Sequence, residues 1–213
     1  LSGDAMLVKA YQLMAKRPAV SAIFSRYALE VCEGQQLDMD FERRDDVDAE
    51  AYMGMIRLKT AVLLACSLRV GAAIAGASAA DSGRIVAFVE HIGLAFQLRD
   101  DLLDAFGDPA KTGKQKGGDL RAGKKTFLLI RGLELSAANG RTELREELSK
   151  PAELRDVPRM LKVLAELGMP EEAERAIRAE EAKAAGALDA VAVADERKSP
   201  LRELSSGLMA RSY

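Results

Sequence analysis

The chain has 213 residues, of which 48% are hydrophobic, enough for one domain with a single sizeable core. Its formal charge of -2, its 5% aromatic content and its lack of tryptophan argue against general nucleic-acid binding, which uses basic faces and stacking platforms. Cys32 and Cys66 lie far apart without a metal-binding spacing, so we expect reduced core thiols.

Targeting signals are not evident in the sequence. The opening residues LSGDAML lack the basic and apolar blocks of a signal peptide, and the small apolar run at 70–80 is too short to span a bilayer. We therefore expect a cytoplasmic protein without a transmembrane segment, whose chain begins inside a larger protein.

Helical periodicity recurs along the whole chain, whereas strand alternation and hairpin turns are nearly absent. This pattern predicts an all-α fold forming one domain over 1–213. The predicted helices span residues 4–16, 19–40, 49–77, 85–106, 127–138, 143–150, 154–167, 171–194 and 201–211.

The second predicted helix carries a stripe that begins apolar and ends polar at Gln35 and Asp38. Polar groups that prolong a buried face need partners inside the fold, so both residues are candidates for lining a cavity. The alternative is that the helix end simply turns into solvent at Asp38. The acid cluster in FERRDDVD, which follows, is interpreted as a break in which Asp46 or Asp48 caps the next helix.

Lys59 lies on the apolar stripe of the third predicted helix, where an ammonium group is unexpected. One interpretation is that the side chain extends to a helix edge and keeps its charge in water. The other is that it faces a functional pocket, together with the adjacent Thr60.

A polar stripe also crosses the central helix at 85–106, where Gln97 is followed by Asp100, Asp101 and Asp104 at helical spacing. Like charges this close are unfavourable unless a cation neutralises them. Two partners are available: the cluster of basic residues that follows at 111–125, and Mg²⁺, which prefers oxygen ligands and is commonly held by one or two carboxylates plus substrate phosphates. An exposed acidic face is the alternative. His91, also on this helix, is predicted to be a satisfied core or rim residue.

The loop at 107–123 and the residues just after it are rich in lysines, among them Lys114 and Lys124. Its spacing does not fit a Walker A loop, and it follows a helix rather than a strand. Its glycines make it pliable, so its lysines could close over a diphosphate and exclude water. A solvated loop is the alternative.

Three segments together, FQLRDDLLD, GDPAKTGKQKGGDL and GKKT, resemble the second aspartate-rich region of the polyprenyl synthetases, the trans-isoprenyl diphosphate synthases. Upstream, GQQLDMD and KTAVL are similar to further segments of that family. The resemblance implies an isoprenoid synthase type of helical bundle, of which this chain carries the back portion.

The same resemblance implies a set of site residues. Mg²⁺ is assigned to Asp100, Asp101 and Asp104, and the allylic diphosphate to Lys59, Lys114 and Lys124. Thr60, Phe96, Gln97, Gln35 and Asp38 are expected to line the substrate pocket. Lys59, Thr60, Gln97, Lys114 and Lys124 are expected to take part in catalysis.

The family joins an allylic diphosphate to isopentenyl diphosphate, so we expect a short-chain product of the farnesyl or geranylgeranyl class and a homodimer. The first DDxxD motif of active members is not in this sequence, so the 213-residue piece alone is expected to be inactive. A non-catalytic subunit of a heteromeric synthase and a terpene cyclase of the same fold remain alternatives. A purely structural bundle is a more distant one.

Overall fold

The computed structural model describes residues 1–112 and 116–210, and the side chains of all of these except 111 and 112. Helices follow one another throughout, and these two ranges contain no strand, which confirms the all-α prediction. The elements are α1 Ser2–Met14, α2 Pro18–Phe41, α3 Ala49–Ile56, a π-helical segment Arg57–Ala61, α4 Val62–Ile74, α5 Ala79–Phe106, α6 Pro109–Thr112, α7 Gly118–Ala122, α8 Phe127–Ala138, α9 Glu143–Leu148, a 3₁₀ turn Ala152–Leu154, α10 Val157–Glu166, α11 Met169–Asp189 and α12 Asp195–Met209.

Helix α5 is the centre of the molecule. It has 28 residues and packs along α11 on one side and against α4 and the π segment on another. Leu98 and Leu102 are 1% and 0% exposed, because apolar residues surround the helix on most sides. Residues of α5 take part in two buried apolar clusters, one around Leu98 and one around Phe88. Burial on this scale fixes the position of α5 within the fold.

Several predicted boundaries need correction. Helix α5 begins at Ala79 rather than at 85, because Ser78 caps it by accepting a hydrogen bond from Asp81 N at 3.0 Å. The predicted helix at 49–77 contains a π-helical segment and ends at Ile74. Helix α12 begins at Asp195 and continues through Pro200, whereas the sequence predicted a start after this proline.

Two smaller predictions are confirmed. Asp48 caps α3, because its side chain accepts a hydrogen bond from Ala51 N at 2.8 Å. His91 is satisfied at the rim of the core, where Nδ1 lies 2.6 Å from Glu180 Oε2 on α11.

One helical stretch, Ala49–Ile74, is long enough and apolar enough to cross a membrane by length and composition. This is weak evidence for a span, since core helices of globular proteins pass the same test. The absence of a transmembrane segment therefore stays a prediction.

Candidate active site

Lys59 and Thr60 lie in the π-helical segment, which is held between α2 and α5. Single turns of π-helix inside α-helices occur often at functional sites. The segment can lie this close to both helices because each presents a glycine to it. A Cβ added to Gly34 on α2 would lie 2.3 Å from Lys59 N, and one added to Gly93 on α5 would lie 2.6 Å from Ala61 Cβ.

A cavity of about 40 Å³ opens where α2, α3, the π segment and α5 meet the residues just before α8. Lys59 Nζ donates a hydrogen bond to Asp38 Oδ2 at 2.5 Å across this space. The lining residues therefore come from five different parts of the chain: Asp38, Tyr52, Met55, Ile56, Lys59, Gln97 and Lys124.

A row of hydrogen bonds includes two residues of the cavity lining, Gln97 and Tyr52, and continues behind it. Thr60 Oγ1 donates to Gln97 Oε1 at 3.0 Å, and Gln97 Nε2 donates to Asp101 Oδ1 at 3.0 Å. The hydroxyl of Tyr52 donates to the other carboxylate oxygen of Asp101. This row joins α3, the π segment and α5 through polar side chains in an otherwise apolar interior.

Asp101 is 3% exposed, and burial raises the pKa of its carboxyl to about 7. Burial disfavours the charged form, and the hydrogen bonds from Tyr52 and Gln97 offset only part of this effect. Lys124, which is nearby, also lowers the pKa of Asp101. For Tyr52 itself, burial and the neighbouring carboxylate of Asp101 raise the pKa well above its ordinary value.

Asp104 anchors the return of the chain after α5. Its carboxylate Oδ2 accepts a hydrogen bond from Asp119 N at 3.0 Å, and its carbonyl oxygen accepts one from Gly117 N at 2.7 Å. These contacts attach the start of α7 to the end of α5. As a result, the segment that carries Lys124 is brought back to the cavity.

Lys124 lies among carboxylates, with Nζ 3.7 Å from Asp119 Oδ2. Burial alone would lower the pKa of its ammonium group, but the charges of Asp119, Asp101 and Asp38 outweigh burial and raise it. Lys124 is therefore firmly cationic, and its positive charge faces the cavity.

The three aspartates of α5 differ in how deeply they are buried. Asp101 points into the interior, whereas Asp100 and Asp104 are half-buried, because successive residues of a helix face directions about 100° apart. Within residues 1–112 and 116–210, no group of three or more His, Cys, Asp or Glu side chains is arranged to hold a metal ion.

Among the described residues, three more predicted site residues do not line the cavity: Gln35, Thr60 and Phe96. Gln35 is exposed, which corrects the expectation that it lines the cavity: its neighbour Gly34 takes the inward position on α2. Phe96 is half-buried and contacts other residues of the fold. Lys114 lies outside the described residues.

Tyr52 was missed from the sequence. It reads there as one more apolar residue of a core helix, and its hydroxyl carries no signal of its own. Its spacing from Lys59 could have identified it as a site residue, because Tyr52 precedes Lys59 by about two helical turns and so lies on the same helix face.

A larger cavity, of about 840 Å³, lies beside the loop at 42–48 and takes in Lys125 instead of Lys124. Opposite charges pair at its rim, where Lys125 Nζ is 3.5 Å from Asp45 Oδ1. Within the described part of the chain, none of the predicted site residues lines it. The small cavity is therefore the candidate active site, because the predicted polar residues converge there.

Comparison with known proteins gives a consistent family. The sequence profile of the polyprenyl synthetases matches residues 1–164. A short chain isoprenyl diphosphate synthase of Methanocaldococcus jannaschii is 36% identical over 172 residues, which are 76% of this chain and 52% of that protein. A geranylfarnesyl diphosphate synthase of Aeropyrum pernix is 33% identical over 96% of this chain and 66% of its own length. The chain thus spans between half and two thirds of these relatives.

Solved structures agree with the sequence relatives. A crystal structure of geranylgeranyl pyrophosphate synthase superimposes with a TM-score of 0.91 at 40% identity, covering 100% of this chain and 68% of that one. The synthase of Corynebacterium glutamicum, in complex with isoprenyl diphosphate and magnesium, superimposes with a TM-score of 0.86 at 32% identity, covering 99% and 62%. The chain belongs to the polyprenyl synthetase family.

Proposed function

We propose that this chain forms the back part of a trans-prenyltransferase, which joins an allylic diphosphate to isopentenyl diphosphate. The names of the matched relatives, which are short-chain isoprenyl, geranylgeranyl and geranylfarnesyl diphosphate synthases, support a short-chain product. Within that range we propose a farnesyl or geranylgeranyl product.

The observation that carries this proposal is the convergence of Lys59 and Lys124 on one cavity beside the aspartates of α5. Two ammonium groups from separate elements present positive charge to the same space. A diphosphate is the small anion that suits this arrangement, and carboxylates of Asp38 and Asp119 hold the two lysines in place.

The proposed chemistry follows from this charge distribution. Breaking the carbon–oxygen bond of the allylic substrate builds negative charge on the departing diphosphate, and preorganised cations stabilise that charge most in a site closed to water. Lys59 and Lys124 take this role, with Lys114 as a third proposed cation. Thr60 and Gln97 orient the substrate, and no protein nucleophile is required.

Mg²⁺ fits the donor set at the end of α5. We propose Asp100 and Asp104 as ligands, because two hard carboxylates with remaining ligands from substrate phosphate and water are an ordinary Mg²⁺ site. When bound, the ion supplies additional positive charge to the leaving diphosphate.

We further propose a homodimer and a cytoplasmic location. Exposed apolar side chains of α1 and α2, which include Met6, Leu7, Val8, Leu13 and Leu29, support a subunit contact through these helices. Sedimentation velocity of the purified protein tests the dimer. Both cysteines are free, which supports a reducing compartment, but only Cys66 is a core thiol as predicted, because Cys32 is exposed.

The test is an assay of the intact gene product with radiolabelled isopentenyl diphosphate, Mg²⁺ and allylic diphosphates of increasing length. Incorporation of label into a chain-extended product is expected, and chromatography reports its length. Diphosphate binding without incorporation would instead favour a non-catalytic subunit. Conversion of the allylic substrate alone to a cyclic hydrocarbon would favour a terpene cyclase. A purely structural bundle would show neither binding nor turnover.

Adjacent lysines provide a matched control for the site. Lys124→Gln removes a charge from the small cavity, and we expect kcat/KM to fall about 10- to 100-fold, the effect of losing a charged hydrogen bond. Lys125→Gln changes the neighbouring residue, which faces the other cavity, and should leave kcat/KM within about twofold. Equal losses in both variants would contradict the assignment.

A further inference from the structure

Gln97 uses both ends of its side-chain amide. Its Oε1 accepts a hydrogen bond from Thr60 at 3.0 Å, and its Nε2 donates to Asp101 at 3.0 Å. An amide bonded at both ends can take only one orientation in its plane. Gln97 therefore presents a fixed donor and acceptor pattern to the cavity that it lines.

Asp101 in turn is held at both oxygens. Oδ1 accepts from Gln97 and Oδ2 accepts from Tyr52, while the side chain is 3% exposed. Tyr52 is 1% exposed and belongs to a different helix, so its hydroxyl fixes the carboxylate from across the interface between α3 and α5. A metal ligand needs an oxygen that the ion can reach, and both oxygens of this carboxylate are buried and hydrogen-bonded inside the fold, whereas Asp100 and Asp104 are half-buried.

We propose that Asp101 and Tyr52 are a positioning pair, which sets the orientation of Gln97 and Thr60 at the substrate cavity, and that Asp101 is not a Mg²⁺ ligand. The inference rests on the proposed function, because the substrate is the diphosphate proposed for that cavity. It gives Tyr52 a role that its sequence position does not suggest. It also separates Asp101 from Asp100 and Asp104 although all three belong to one motif.

The test measures binding without turnover. The intact gene product is titrated by calorimetry with geranyl S-thiolodiphosphate, an allylic diphosphate that ionises slowly, over a series of Mg²⁺ concentrations. Asp101→Asn and Tyr52→Phe should weaken analogue binding about tenfold at saturating Mg²⁺, the loss of one hydrogen bond to a charged group. Their half-maximal Mg²⁺ concentration should stay within about twofold of wild type. Asp104→Asn should raise it about tenfold.

A double variant tests whether the two residues act together. Tyr52→Phe combined with Asp101→Asn should bind the analogue about as well as the weaker single variant, since both changes break the same row. Tyr11→Phe is the matched control. The ring of Tyr11 in α1 packs against the ring of Phe24 in α2, and the Tyr11 hydroxyl makes no hydrogen bond to the described part of the chain. It should bind as wild type does.

The outcomes separate the two proposals. An Mg²⁺ requirement that rises in Asp101→Asn as it does in Asp104→Asn overturns the positioning role and leaves the proposed function standing. Additive losses in the double variant also overturn it. Failure of the wild-type protein to bind the analogue at any Mg²⁺ concentration overturns both. If Asp101→Asn does not fold, Tyr52→Phe alone still tests the positioning role, because it removes only one oxygen atom from the row of hydrogen bonds.

Discussion

Gly34 lies against the backbone of the π segment, so the space beside it cannot be enlarged by moving a side chain. A Cβ at this position would lie 2.3 Å from Lys59 N and 2.7 Å from Leu58 C. We therefore expect Gly34→Ala to lower the free energy of unfolding by about 1–3 kcal/mol, the usual range for overpacking. Urea denaturation followed by circular dichroism measures this change.

Gly54 is the matched control for Gly34. It lies on the exposed side of α3, with no atom within 4 Å of an added Cβ. Alanine there removes only the conformational freedom of glycine, so Gly54→Ala should stabilise the protein by about 0.5–1 kcal/mol. A Gly34→Ala variant as stable as Gly54→Ala would show that the α2 contact is not close-packed.

Glu147 is a buried carboxylate whose stabilising effect should depend on pH. It is 1% exposed, and it accepts hydrogen bonds from Asp156 N at 3.0 Å, Lys150 Nζ at 2.7 Å and Arg159 Nη1 at 2.9 Å. The backbone hydrogen bond from Asp156 and then the one from Lys150 lower the pKa of Glu147 from 4.5 to about 2.

Because the folded-state pKa of Glu147 lies below its ordinary value, the carboxylate contributes its full stability above about pH 4.5 and loses it as the pH falls towards about 2. Glu147→Gln should therefore be less stable than wild type at neutral pH, and the difference should shrink over this window. Chemical denaturation at a series of pH values measures it, with Glu153→Gln on the exposed 3₁₀ turn as the control. A difference that does not change with pH would contradict the prediction.

Apart from Lys124, which the family resemblance indicated, the candidate site could be predicted from the sequence where a residue contradicts its surroundings. Lys59 on an apolar stripe and Asp38 at the end of another stood out for that reason, and both line the cavity. Tyr52 agrees with its apolar surroundings, so its hydroxyl bond to Asp101 became visible only in three dimensions. The prediction that Gln35 lines the cavity was wrong, because adjacent residues of a helix face different directions and Gly34 is the one that faces inward.

At the scale of elements, the π segment depends on α5 as much as on α2. A Cβ at Gly93 would lie 2.6 Å from Ala61 Cβ and 2.7 Å from Ala61 Cα. Gly93→Ala should therefore destabilise the protein by about 1–3 kcal/mol and separate α5 from the segment that carries Thr60. Denaturant unfolding gives the loss, and analogue binding by calorimetry reports the displacement of the site.

A size exchange tests whether this contact is specific. Ala61→Gly combined with Gly93→Ala removes the Cβ that the new methyl group would meet, so part of the loss from Gly93→Ala should be recovered. Recovery is only partial, because Ala61 Cα remains close and glycine within a helix costs about 1 kcal/mol. A double variant whose loss equals the sum of the two single losses would place the damage elsewhere.

Helical periodicity was sufficient to predict most elements, because each helix buries one face at a regular spacing. It could not predict where α5 begins, since the first turn at Ala79 contains few apolar residues and is defined by its Ser78 cap. It also could not reveal the π segment, which inserts no unusual residue and arises from contacts with α2 and α5. Local pattern thus predicts the helices, whereas tertiary packing determines their ends and irregularities.

At the scale of the whole molecule, α5 and α11 connect two buried clusters. The cluster around Leu98 contains Ile177 of α11, and the cluster around Phe88 contains Leu188 of the same helix. Both α11 residues are almost completely buried, at 0% and 2% exposed. Two long helices that share both clusters should make the clusters unfold together.

This connection predicts that truncating a core side chain in one cluster also destabilises the other cluster. Ile177→Ala and Leu188→Ala should each lower the free energy of unfolding by about 2–5 kcal/mol. Native-state hydrogen–deuterium exchange should then accelerate in peptides of both clusters for either variant, because opening one requires α5 and α11 to separate. Leu204→Ala on the exposed side of α12 is the control, with an expected change within about 0.5 kcal/mol. Acceleration confined to the cluster that carries the substitution would mean that the two clusters are independent. The candidate-site residues that α5 carries next to Leu98 would then not depend on the packing around Phe88.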